Sequence, residues 1–182
     1  VRPTDFREGH GSLGVEVALR DPSGRESARL RMRDLGTGVD IWGADVMPDS
    51  AGAWSFTIEA WDDPWGTWWH RASIKVPAGV DIEIELEEGA RLIESLPGGD
   101  TGRLAEITRT VRDTEMPPEV RLAAAGDPDV LSVLGAHPLR AGVTVCGPWP
   151  LLVERRRALG GAWYEFFPRS EGAKGRPLKS GT

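Results

Sequence analysis

Asp62 and Asp63 are the nearest approach in this 182-residue chain to a catalytic carboxylate pair. Two carboxyl groups about 5 Å apart can act as nucleophile and acid at a glycosidic bond. Adjacent residues in a strand-like turn point apart, so DDPWG from Asp62 to Gly66 reads as turn chemistry: Asp pairs with nearby amides, Pro64 fixes φ and Gly66 permits positive φ. Nucleophilic chemistry has no better start. Cys146 is the single cysteine, and His10, His70 and His137 all lie far from it in sequence. The thiol reads as a small buried or half-buried hydrophobe. HxxxH, CxxC, GxSxG and a phosphate-cradling glycine loop are all missing, and GHGSLG at Gly9 to Gly14 has the wrong glycine spacing for a dinucleotide loop. We therefore assign no catalytic residue, no metal ligand and no cofactor.

Aromatic side chains are the other chemistry-bearing group. WSFTIEAWDDPWGTWWH, Trp54 to His70, holds five of the eight tryptophans. A buried Trp removes roughly 150–250 Å² from water, so this cluster builds a core or presents a platform. Trp54, Phe56 and Ile58 alternate with polar residues as in a half-buried strand, and Trp68, His70, Ala72, Ile74 and Val76 predict one face of a second strand across the DDPWG turn. That alternation puts Trp68 inside and Trp69 outside, with Trp61 and Trp65 flanking the turn. Trp61, Trp65 and Trp69 are thus the candidate sugar-stacking or interface rings.

Two textures position these groups. From Leu13 to Val76 the pattern is strand-like: Leu13, Val15, Val17 and Leu19 share a face, DPSG makes a turn, and Leu30 and Met32 alternate with arginines. A strand around Val39 to Val46 precedes the Trp segment. After Pro77, Ile82, Leu86, Ala90 and Ile93 form a helical stripe with Asp81 as its cap. Asp100 caps a second helix buried through Leu104, Ile107 and Val111; Pro117-Pro118 opens a third up to Ala125, and Asp127-Pro128 a fourth. Pro150–Val153 and Ala162–Phe167 return to strand texture. The expected fold is mainly β with an α insertion: an immunoglobulin-like antiparallel β-sandwich over residues 1–78 and 147–168, a helical bundle over 79–146, and a linker over 169–182.

A net charge of −6 disfavours nucleic acid. No apolar run approaches the ~20 residues of a membrane span, and one cysteine excludes an intrachain disulfide, so a cytoplasmic setting is expected. The arginine-rich basic set suggests a GC-rich genome, and both ends read as cut from a longer chain.

WSFTIEAWDDPWGTWWH, the KVPAGVDIEIELEEGARL that follows closely, and GAWYEFFPRSEG from Gly161 together resemble the amino-terminal region of the GlgE family. These are α-1,4-glucan:maltose-1-phosphate maltosyltransferases of the α-amylase superfamily, and the resemblance runs from Phe6 to Gly181. It implies a β-sandwich with a helical insertion, both associated with homodimer formation, ahead of a catalytic barrel. It also implies a parent that moves maltose from maltose 1-phosphate to the non-reducing end of an α-1,4-glucan, with retention, through an Asp nucleophile and a Glu acid/base on that barrel. A barrel needs about 250 residues, and none of its motifs matches a position here. The segment is then an assembly and docking region, or, alternatively, a glucan-binding module. In GAWYEFFPRSEG, Ala162, Tyr164 and Phe166 share one strand face while Trp163, Glu165 and Phe167 share the other. Trp163, Phe167 and Arg169 are the expected barrel-docking residues.

Overall fold

The computed structural model describes Val1, residues 11–36 and residues 41–160. Strands Leu13–Arg20 (β1), Glu26–Arg31 (β2), Gly52–Asp62 (β5) and Ala141–Val153 (β6) form one antiparallel sheet in the order β2-β1-β5-β6. Arg33–Asp34 (β3) and Trp42–Gly43 (β4) pair as a small separate ribbon. Alternation sorts the faces as the sequence predicts. Val15, Val17 and Leu19 lie opposite Ala60, Ile58 and Phe56 across the β1–β5 ladder. Met32, Trp42, Ala44, Val46 and Val1 pack with Val15, Val17 and Ile58 on that face. Each fully buried Val or Ile contributes about 1.5–3 kcal/mol.

The second predicted strand of the Trp segment is a helix. Pro64–Lys75 (α1) starts at Asp63, whose carboxylate accepts the Gly66 amide at 2.9 Å, with Pro64 in the first turn. Asp-Pro is a helix start signal here, as it is at Asp127-Pro128. Trp65, Trp68, Trp69, Ala72 and Val76 then fall at helical spacing, and His70 and Ile74 are exposed. Trp68, Ala72 and Val76 fit i, i+4 and i+8 as well as period-2 alternation, and the helix buries these three while leaving His70 and Ile74 exposed.

Four further helices follow: Ile82–Glu94 (α2), Gly102–Arg112 (α3), Pro118–Ala125 (α4) and Pro128–Ala136 (α5). The apolar faces expected for α2 and α3 are buried. Leu86, Ala90 and Ile93 from α2 meet Leu104, Ile107 and Val111 from α3, with Trp68, Leu122 and Val130 completing the cluster. Asp81 differs from expectation. It sits at the start of α2 with φ 52° and makes no capping bond, its carboxylate pairing instead with Lys75 Nζ at 2.9 Å.

The helices begin at Pro64, ahead of the boundary at 79 expected from the sequence, and residues 141–146 lie in β6. Asp62 pairs with Ala141 in the β5–β6 ladder. The helical segment is therefore inserted at the tip of a β-hairpin. The fold is mixed, antiparallel sheet and helix.

Candidate functional site

Where β5 hands over to α1, the Trp61 ring is 1% exposed and lies on Gly14, its cross-strand partner. A Cβ on Gly14 would sit 2.3 Å from that ring, so only glycine admits it. The guanidinium carbons of Arg31 and Arg140 lie 4.6 and 4.1 Å from the ring centroid, within cation–π range. The indole Nε1 is buried and has no partner among the described residues.

Around this ring the sheet face opposite the apolar core carries an ionic cluster. Arg140 donates to Glu16 at 2.6 Å and to Glu59 at 2.9 Å, Arg29 to Glu59 at 2.7 Å and to Glu26 at 3.0 Å, and Arg31 to Asp63 at 3.0 Å. The hydrogen bond from Arg29 holds the Glu59 carboxyl below its ordinary range, and Arg29 does the same to Glu26. A cavity of about 230 Å³ opens beside the cluster, lined by Glu16, Arg31, Asp63 and Trp65 with the segment around Leu134 and Leu139. Every charge on its wall is already paired.

The helical side has its own buried polar joint. Glu85, 2% exposed, accepts Arg71 Nε at 2.9 Å on both oxygens and Lys75 Nζ at 3.0 Å. Arg121 is likewise buried, donating to the Val111 carbonyl at 2.8 Å and to both Glu83 oxygens. A buried charge is costly unless paired and hydrogen-bonded. Both are, and they fix how α1, α2 and α4 meet.

The candidate rings form no open platform. Trp61 and Trp65 are buried, and Trp69 is half-buried against the helical core. Trp65 and Trp69 stack at 12° with centroids 6.1 Å apart. Asp63 is committed to the Gly66 amide and to Arg31, and Asp62 closes β5, so the acid pair offers no reacting dyad. Trp163, Phe167 and Arg169 lie outside the described residues. Among the described residues no group of three His, Cys, Asp or Glu side chains could hold a metal, and no helix is long and apolar enough to cross a membrane.

β6 begins at Ala141, nine residues ahead of the strand expected at Pro150–Val153. Its residues from Ala141 to Pro150 are exposed, Val145 at 59% and Trp149 at 53%. Cys146 is exposed as well, contrary to the buried or half-buried position expected for it. The signal available was the period of GVTVCGPWPLLV, broken by Gly147 and Pro148, where the β5–β6 register shifts.

Residues 1–155 match the family described as α-1,4-glucan:maltose-1-phosphate maltosyltransferase, domain N/S. The chain belongs to that family. Two α-1,4-glucan:maltose-1-phosphate maltosyltransferases of Streptomyces coelicolor are 53% and 51% identical over 97% of this chain and 27% of their own length. That of Arcanobacterium haemolyticum is 35% identical over 95% of the chain and 26% of its length. The chain spans about a quarter of the curated relatives it matches. Likeness over this region carries the N/S portion of those proteins.

Proposed function

We propose that this chain is the non-catalytic amino-terminal region of a maltosyltransferase that transfers maltose from α-maltose 1-phosphate to the non-reducing end of α-1,4-glucans. Its own task is assembly: it joins two copies and seats a catalytic barrel through Trp163, Phe167 and Arg169. The sheet and ribbon belong to an immunoglobulin-like sandwich, and the setting is cytoplasmic. The observation that carries this reading is the fate of the tryptophans. Of the candidate sugar-stacking rings, Trp61 and Trp65 are buried and Trp69 is half-buried, while exposed large apolar side chains, including Val145, Trp149 and Leu152 on β6, lie on surfaces of the kind that interfaces use.

Sedimentation equilibrium tests the assembly role. The 182-residue chain should show a reversible monomer–dimer equilibrium, and strictly monomeric behaviour at high concentration would overturn it. The same preparation should release no phosphate from maltose 1-phosphate above a no-enzyme control. Glucan binding is the competing role. Saturable quenching of tryptophan fluorescence by maltoheptaose, undiminished in a Trp149→Ala variant, would favour it.

A further inference from the structure

Among the described residues the protein has two apolar cores, and no side chain belongs to both. One gathers Trp65, Trp68, Leu86, Ile107 and Val130 among the helices, and the other Val15, Val17, Met32 and Ile58 under the sheet. The chain passes between the two bodies twice. It leaves the sheet after Asp62 and returns at Ala141, and these two residues are paired in the β5–β6 ladder. Both passages therefore stand side by side on one line. Asp63 alone separates β5 from α1, and residues 137–140 separate α5 from β6.

Polar groups bridge the seam beside that line. Ser12 N–H donates to Thr67 Oγ1 at 2.8 Å, and Asp63 N–H donates to the Ser12 carbonyl at 2.9 Å. The cavity of about 230 Å³ lies in the same seam, with Glu16 and Arg31 on its sheet wall and Trp65, Leu134 and Leu139 on its helical wall. Apolar surfaces that lock together interdigitate and leave few gaps larger than a water molecule. Here a charged wall faces an apolar one across open space.

We infer that the helical insertion rocks as one body on the sheet about the paired Asp62 and Ala141, opening and closing this cavity. Arg140 is the pivot, and the Arg31–Asp63 and Ser12–Thr67 bonds are the latch. The two arginines differ in grip. Arg140 stands at the crossing itself, bonds Glu16 and Glu59, and lies 4.1 Å from the Trp61 ring centroid. Rocking turns about it without pulling it away. Arg31 reaches from β2 and holds Asp63 through one bond at 3.0 Å, its side chain 41% exposed. The Asp63 carboxylate also accepts the Gly66 amide, so it moves with α1. Losing an ion pair of that exposure shifts an equilibrium about fivefold or less, which leaves the latch free to open thermally. A few residues at element ends are enough to absorb such a motion, and Asp63 and residues 137–140 are placed to do so. The inference goes beyond the assembly reading and does not depend on it.

Double electron–electron resonance on the 182-residue chain, carrying Cys146→Ser, tests it. Spin labels at Ser27→Cys on β2 and Glu119→Cys on α4 span the seam, whereas labels at Ser73→Cys and Glu119→Cys both ride on the helices; all three positions are exposed. A helix of the length of α1 reaches about 18 Å, so modest rocking moves its far end by several Å. The spanning pair should give two distances, or one spread by several Å. Sodium chloride at 1 M, where the Debye length is about 3 Å, should raise the open population by up to about fivefold. Arg31→Ser should do the same at low salt, and the helix-only pair should stay narrow throughout. One narrow spanning distance that salt leaves unmoved overturns the inference, and that series needs no variant at the joint. Equal broadening of the helix-only pair would mean that the bundle itself loosens, which overturns it too.

Discussion

Gly89 of α2 exists to admit Trp68 of α1. A Cβ built on Gly89 would lie 2.1 Å from Cζ2 of the indole, whose N–H donates to the Glu85 carbonyl one turn earlier at 2.7 Å. The ring is fully buried and bonded at its edge, so it cannot swing aside.

Gly89→Ala is accordingly expected to destabilise the chain. Alanine gains about 1 kcal/mol of helix propensity over glycine, but overpacking against a fixed aromatic costs about 1–3 kcal/mol and the contact here is severe. A net loss near 2 kcal/mol should appear as a lower urea midpoint at unchanged slope. A neutral or stabilising result would mean that α1 and α2 can separate without cost.

Asp63 joins the sheet to the helices, and its two bonds can be tested apart. Asp63→Ala removes both the helix cap and the Arg31 partner and should cost about 1–2 kcal/mol. Asp63→Asn keeps an acceptor for the Gly66 amide and loses only a partly exposed ion pair, so its cost should be a few tenths. Equal losses in the two variants would show that the Arg31 pair, and not the cap, holds the junction.

The carboxyl of Glu87 on α2 is lowered from 4.5 to about 2 by hydrogen bonds from Arg112 first and Arg91 second. A depressed folded-state value means the stabilisation is complete above the unfolded value and disappears as pH falls through the folded one. The window is therefore pH 5 to 2. Glu87 is substantially exposed, so solvent screening keeps the pair near the usual ~0.2–1 kcal/mol of surface ion pairs. Arg112→Gln should flatten the acid limb of melting temperature against pH in that window and leave the limb above pH 6 parallel to wild type. An unchanged acid limb would sink the assignment to Arg112.

The pairing of Asp62 with Ala141 means that Asp63 to Arg140 can be replaced by Asn-Gly, a two-residue hairpin connection. The sheet should still fold cooperatively, weakened by the lost Arg31–Asp63 and Arg140 contacts around Trp61. Near-ultraviolet dichroism from Trp54 and Trp61 reads it. Loss of a cooperative transition would show that sheet and helices share one obligatory core.

Much of this architecture was legible, and the exceptions have physical causes. β1 repeats one period along its length, α2 and α3 carry a single apolar stripe, as in Leu86, Ala90 and Ile93, and Pro118 and Pro128 mark the starts of α4 and α5, whereas Asp81 and Asp100 do not cap the helices they precede. α1 was hidden because Trp68 to Val76 satisfies both periods, and the decision lay in a single Asp63-Pro64 step read as a turn. Arg140 over Trp61 was invisible for another reason: its partner Glu16 lies 124 positions away, and only the closed hairpin brings them together. Trp149 escaped notice because two shifts in the β5–β6 register hide its alternation.

The insertion at the hairpin tip also bears on the order of events in folding. Arg140 meets Glu59 from 81 positions away, and closing a loop of that size as an unstructured chain would cost about 2.5 kcal/mol more than closing a four-residue one. Helices gain their contacts locally and close quickly. Once they have packed, residues 62 and 141 stand side by side, and a pairing that is distant along the polymer becomes a neighbourly one. The bundle acts as a splint: it shortens the search for β6 and leaves the sheet's last strand waiting on its neighbour's completion.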